Sequence, residues 1–172
     1  MMKLSVILPV YSEEDSLIYV VDKLEKLLRD KLYEIILIVS PKSGPKTVSI
    51  SKNLVKKYKN VKFFMQKQNP GLGRGVREGI QHAKGTHILM MDSDGEMSPD
   101  TVPRMIKKME ETGCDMVVGS RWAKGGGVVG YDSVKYFLNR GFQTIFRILF
   151  LTKIHDLTLG FKLMKRKIID DI

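Results

Sequence analysis

The chain has 172 residues, enough for one domain with a substantial core and too few for two comfortable ones. A composition 43% hydrophobic and 28% charged excludes a disordered chain, and the single cysteine, Cys114, excludes an internal disulfide and fits a reducing compartment. The net charge of +10 suits an anionic partner (phosphorylated substrate, anionic lipid or nucleic acid) or a lysine-rich surface that only maintains solubility. In chain order, residues 3–8 form a short apolar run that reads as a first strand. Leu17, Val20, Val21, Leu24, Leu27 and Leu28 then mark one helix face at spacings of three and four. Residues 34–39 read as a second strand, 47–58 as a weaker helix, 61–65 as a third strand and 71–84 as a helix with a glycine-rich start. Residues 86–91 are a nearly continuous apolar fourth strand. Ser98 and Pro99 open a further helix as N-cap and first-turn residue, with Val102, Met105, Ile106 and Met109 facing inward. Residues 115–118 complete five strands.

Near-continuous apolar strands alternating with helices predict an α/β domain, a Rossmann-like, doubly wound, mainly parallel sheet with helices on both faces. In such sheets ligands bind beyond the carboxyl ends of the strands. The loops at 9–15, 40–46, 66–75, 92–96 and 119–131 are therefore the candidate functional segments. The sequence contains no aromatic ribonucleoprotein motif, zinc-finger spacing or glycine-anchored helix-turn-helix, so nucleic acid is not an expected partner. The terminus "MMKLSVILPVYSEE" is too short an apolar stretch for a signal peptide, and no apolar run reaches the roughly 18 residues of a membrane span.

"ILMMDSDGEMSP" carries the most chemistry. Asp92 ends the fourth strand, with Asp94 and Glu96 at two-residue intervals. Three carboxylates at the mouth of a sheet repel one another unless a cation sits among them, and Mg²⁺ or Mn²⁺ bound through oxygens keeps positions open for phosphate. The bland alternative is an acidic loop stabilised by the helix N-terminus that follows it. "GLGRGVREG" is a poor dinucleotide fingerprint, because it follows the third strand rather than the first. Its Gly71, Gly73 and Gly75 read as glycines of a tight turn and close helix packing. His82 and His87 are isolated and read as surface or satisfied residues; His155 and Trp122 stand beside motif residues, where local structure is the simpler reading.

Several motifs, in order and over almost the whole chain, resemble the family-2 inverting glycosyltransferases of the GT-A fold, most nearly the dolichol-phosphate mannosyltransferase and polyprenyl-phosphate glycosyltransferase branch. They are "VILPVYSEE", "NPGLGRGVREGIQHAKGTHILMMDSD", "VVGSRWAKGGGVVGY" and "DLTLGFKLMKR". The resemblance implies a single domain over 1–172 that transfers a hexosyl group, mannose or glucose, from a nucleotide-diphosphate sugar to a polyprenyl or dolichyl phosphate. It implies that Pro9, Tyr11 and Glu13 line the base and ribose pocket and that Asp92 and Asp94 meet the donor. Asp94 and Glu96 would hold Mg²⁺ or Mn²⁺; the family often has Gln where Glu96 stands. Arg121 and Lys135 would meet the acceptor phosphate, lysine supplying charge without the arginine fork.

The family usually ends the second strand in Asp-Asp-Gly-Ser. Aligned on "EIILI", those aspartates fall on Val39 and Ser40, so Ser40 is the expected donor contact in a rewritten base-reading loop. Ser40 supplies weaker bonding than a carboxylate, while Lys42 and Lys46 offer charge for phosphate. The chain is also short at its carboxyl end relative to that family. Two functions stay open: metal-assisted transfer, or a degenerate GT-A module that binds nucleotide or lipid phosphate without turnover.

Residues 133–151, "SVKYFLNRGFQTIFRILFL", interleave large apolar side chains with Lys135, Arg140 and Arg147. This pattern fits an amphipathic helix on an anionic membrane surface or a helix packed under the sheet. The resemblance favours the first, and with it a cytoplasmic location, peripheral on the membrane face.

Overall fold

Among the described residues, six strands form one sheet: β1 (Leu4–Val10), β2 (Leu32–Val39), β3 (Val61–Met65), β4 (His87–Met90), β5 (Met116–Val118) and β6 (Lys162–Lys165). The computed structural model describes residues 2–67, 71–123, 133–152 and 154–170. The strand order is β3-β2-β1-β4-β6-β5. β1 pairs in parallel with both β2 and β4, and β2 with β3. The chain thus winds outward from β1 in one direction and resumes on its other side at β4. That reversal opens a crevice beyond the carboxyl ends of β1 and β4.

The sequence reading did not anticipate β6, which pairs antiparallel with both β4 and β5. Four residues with lysine at each end carry too little periodicity to announce a strand. Leu163 and Met164 become strand residues because partners on both sides satisfy their backbone.

Alternation along the strands divides the core into two faces. Val6, Leu8 and Val10 of β1 join Ile35, Leu37 and Val39 of β2 on one face. There they meet α1 (Asp15–Leu28) through Leu17, Val20, Val21 and Leu24, and α4 (Val102–Thr112) through Val102, Met105, Ile106 and Met109. Ile7, Ile36, Ile38 and Ile88 form the opposite face. α4 follows a 3-10 turn at Pro99–Thr101 and ends at Gly113, whose left-handed φ of 67° lets its N–H cap Met109 O.

α2 (Pro45–Lys57) begins at its proline. α3 (Leu72–His82) lies over β1 and β2 with one glycine pressed against the sheet. That glycine is Gly79: a Cβ there would come within 2.5 Å of Ile7 Cγ2. The expected packing glycines behave differently. A Cβ on Gly71 or Gly73 would meet nothing within 4 Å, and one on Gly75 would make only ordinary contacts near 3.5 Å. The sequence spacing identified the helix but not which side of it faced the strands. His82 stacks on Phe64, a packed rather than liganding role.

Two further helices are α5 (Ser133–Leu149) and α6 (Lys167–Asp170). Val134, Phe137, Leu138, Ile145, Ile148 and Leu149 of α5 are all exposed. At about 3.6 residues per turn these side chains share one outward face. This excludes burial of that face under the sheet. No helix among the described residues is long and apolar enough to cross a membrane.

Candidate active site

The carboxyl ends of β1, β2, β3 and β4 converge on a cavity of about 470 Å³. The strands' hydrogen-bonding continues past their ends: Ser40 N–H donates to Val10 O and Gln66 N–H to Val39 O, each at 2.8 Å. Ser93 Oγ donates to Pro9 O at 2.6 Å, tying the loop after β4 to β1. This lattice brings Pro9, Tyr11, Glu13, Ser40, Asp92 and Asp94 to the walls of the cavity, the six residues expected to meet a donor. Its size falls within the range typical of small-molecule sites.

One end of the cavity is acidic. Burial, reinforced by the charges of Asp94, Glu96 and Glu13, pushes the Asp92 carboxyl above its ordinary value. Asp94 and Glu96 are exposed, and Asp94 Oδ1 accepts the Glu96 N–H at 2.9 Å, which folds the loop back over itself. Glu13 accepts the backbone N–H groups of Tyr11 and Ser12 at 2.6 and 3.0 Å, so its carboxylate is fixed by its own turn. Among the described residues, no three acidic, histidine or cysteine side chains close into a metal cage. An open site with one or two carboxylates beside an uncompensated acidic cluster fits Mg²⁺ or Mn²⁺ that keeps much of its shell for water and phosphate. It does not fit a structural cage.

The other end carries Ser40, Lys42 and Gln66. Ser40 is nearly buried, and its Oγ accepts the Lys42 N–H at 3.2 Å. Gln66 donates from Nε2 to Gly71 O at 3.1 Å, bridging β3 to the start of α3. Of the two lysines expected to serve phosphate, Lys42 lines the cavity, whereas Lys46 is paired with Glu14.

Arg121 is held outside this cavity wall. Asp156 is fully buried and receives Arg121 Nε at 2.8 Å on Oδ2 and an Arg121 terminal nitrogen at 2.9 Å on Oδ1. Burial alone would raise the Asp156 carboxyl; the Arg121 guanidinium and backbone N–H outweigh it and hold the carboxyl below its ordinary value. Asp156 is therefore an ionised anchor for the arginine. Trp122 lies beneath the Arg140 guanidinium, 5.9 Å from its ring centre. Lys135 stands on α5, with its side chain outside the described residues, as is most of the glycine-rich loop before it.

Two buried glutamines escaped the sequence reading. Gln66 was signalled only by its place in the loop after β3. Gln143 carried no signal at all, because a polar residue within an apolar helix reads as part of its wet face.

The chain is similar to curated proteins of known activity. It is 29% identical to a dolichol-phosphate mannosyltransferase of Pyrococcus furiosus, over 99% of this chain and 48% of that protein. It is also 29% identical to the dolichyl-phosphate beta-glucosyltransferase ALG5A of Trichomonas vaginalis, over 95% of this chain and 53% of that protein. The chain thus spans about half the length of the curated relatives it matches. Its fold is similar to that of glucosyl-3-phosphoglycerate synthase from Mycobacterium tuberculosis solved with UDP. The TM-score there is 0.72 at 19% identity, over 96% of this chain and 57% of the other. The mannosyltransferase PcManGT from Pyrobaculum calidifontis, solved with GDP-Man and Mn²⁺, aligns at a TM-score of 0.67 and 17% identity, over 99% of this chain and 46% of that one. Both share the GT-A fold with this sheet. The description "Glycosyl transferase family 2" matches residues 5–172, which takes in every strand end that borders the cavity and nearly all of the chain, and the protein belongs to that family.

Proposed function

We propose that the protein transfers a hexosyl group, mannose or glucose, from a nucleotide-diphosphate sugar to a polyprenyl or dolichyl phosphate. The observation that carries this reading is the convergence of Pro9, Tyr11, Glu13, Ser40, Asp92 and Asp94 on one cavity. Its acidic end suits a cation-bound diphosphate, and the end with Ser40, Lys42 and Gln66 is left for the nucleoside. Asp94 and Glu96 would hold a divalent cation, whose charge would offset that of the departing diphosphate.

In the transfer, the bond from the anomeric carbon to the diphosphate oxygen breaks, and its electron pair leaves with the nucleotide. An oxygen of the acceptor phosphate forms the new bond from the opposite face. That oxygen is already ionised at neutral pH, so no general base is required. Arg121, with its fork oriented by Asp156, and Lys135 then serve to position the acceptor. The exposed apolar face of α5 and its interleaved arginines suit an anionic lipid surface, from which such an acceptor would be presented.

Calorimetric titration with UDP- and GDP-linked glucose and mannose, in Mn²⁺ and in Mg²⁺, tests the reading. At least one donor is expected to bind only with metal, and Asp94→Ala is expected to abolish that binding. A guanine edge offers neighbouring N–H donors that call for a carboxylate, and Ser40 supplies none, so uridine donors are expected to bind better. Failure of every donor at millimolar concentration overturns the proposal. Donor binding with no transfer to a short polyprenyl phosphate supports the degenerate module instead.

A further inference from the structure

Gln143 is the one buried residue among the described side chains of α5. It stands on the opposite side of the helix from Val134, Leu138, Ile145 and Ile148, whose side chains are exposed. The helix is therefore fastened to the domain here by a buried amide rather than by its apolar face. That amide is fully engaged. Its Nε2 donates to Thr158 Oγ1 at 2.8 Å and to Asp156 Oδ1 at 3.3 Å, and its Oε1 accepts the Leu157 N–H at 2.9 Å. Arg121 donates to the same two acceptors, Thr158 Oγ1 at 3.0 Å and Asp156 Oδ1 at 2.9 Å.

We infer that Gln143 is a positioning residue: it locks the Asp156–Thr158 segment so that the Arg121 guanidinium is held in one orientation. The inference rests on the proposed role of Arg121 toward an acceptor phosphate. The geometry favours it over simple packing. A buried side chain chosen for packing alone would be apolar, because an amide must have its hydrogen bonds matched to be tolerated there. This one is matched entirely by Asp156, Leu157 and Thr158, the segment that anchors the arginine. A guanidinium recognises phosphate through a planar fork, and a fork that rotates loses the paired geometry. Gln143 also makes the seating of α5 and the aim of Arg121 a single event: a shift of the helix withdraws the amide from Asp156, Leu157 and Thr158 together.

The test uses Gln143→Met, which keeps volume and removes the hydrogen bonds, and Gln143→Asn, which keeps the chemistry with a shorter reach. Two readouts are taken on the full chain. The first is the Arg121 Nε–H signal in nitrogen-15 NMR, assigned with Arg121→Lys. Slow exchange is expected in the native protein and fast exchange in Gln143→Met, with partial recovery in Gln143→Asn. The second is transfer to citronellyl phosphate. Its KM is expected to rise about tenfold or more in Gln143→Met, while donor affinity is unchanged. Unaltered Nε–H exchange in a folded Gln143→Met protein overturns the inference, as does an equal loss of donor and acceptor affinity. Altered exchange in Gln143→Met, with no transfer by the native protein, leaves the positioning role standing and overturns the proposed function instead.

Discussion

Glu34 Oε1 accepts the Ser5 hydroxyl at 2.7 Å, with both residues buried at the amino ends of β2 and β1. The same oxygen accepts the Lys84 N–H at 2.6 Å, and the Ser5 hydroxyl in turn accepts the Gly85 N–H at 2.8 Å. Lys62 on β3 pairs with the other oxygen. One carboxylate thus ties four segments at the end of the sheet opposite the cavity.

Burial alone would push the Glu34 carboxyl up; Lys62, Ser5 and the Lys84 N–H outweigh it and hold it below the ordinary 4.5. A depressed folded-state value stabilises the protein above the unfolded value, and that contribution is lost as pH falls through the folded value. Glu34→Gln is therefore expected to cost about 2 kcal/mol at pH 7. The gap between the two proteins should close below pH 4.5, as measured by urea unfolding across a pH series. A gap that stays constant with pH would show that the carboxylate's charge contributes nothing.

The Asp156–Arg121 pair should behave as a buried ion pair. Removing the acid in Asp156→Ala strands a guanidinium, and a loss of about 3 kcal/mol is expected in denaturant unfolding. Arg121→Lys should cost less stability but lose acceptor selectivity, because an ammonium cannot reproduce the two-point contact with Asp156. A loss under about 1 kcal/mol in Asp156→Ala would assign the pair no structural weight.

Two glycines of α3 should respond to alanine with opposite signs. Gly73→Ala enters open space and should gain up to about 1 kcal/mol from helix propensity. Gly79→Ala would drive a methyl onto Ile7 Cγ2 and crowd Ile38 at 3.2 Å, which should cost about 1–3 kcal/mol despite the same propensity gain. Thermal melts of the two variants make the comparison directly.

The outer face of α5 is expected to bind vesicles that contain anionic lipid, and to release them at high salt. Ile145→Glu, on an exposed position, should weaken flotation without changing the melting temperature. Flotation unchanged by that substitution would remove α5 from the contact, and self-association lost in its place would assign the face to a second copy.

Much of this protein was legible because hydrophobic periodicity and turn chemistry are local. Residues 61–65 were bounded correctly from apolar content alone, and 34–39 lie wholly within β2. The Asp92–Glu96 cluster declared itself through mutual repulsion at a strand end. The parallel order of β1 to β4 followed from strands apolar on both faces. The motifs also named Pro9, Tyr11, Glu13, Asp92 and Asp94 of the cavity lining, since each lies within a few positions of a strand end.

Tertiary structure decided what depends on distant partners. β6 exists through pairing on both edges, Gly79 rather than Gly73 meets the sheet, and Lys46 is paired with Glu14. Arg121 and Asp156 lie 35 residues apart, and Gln143 lies between them in sequence on another element. Sequence determined which chemical groups were available at the strand ends. Only the fold determined which charges meet, because an ion pair or a buried amide is set by the geometry of segments that no local pattern links.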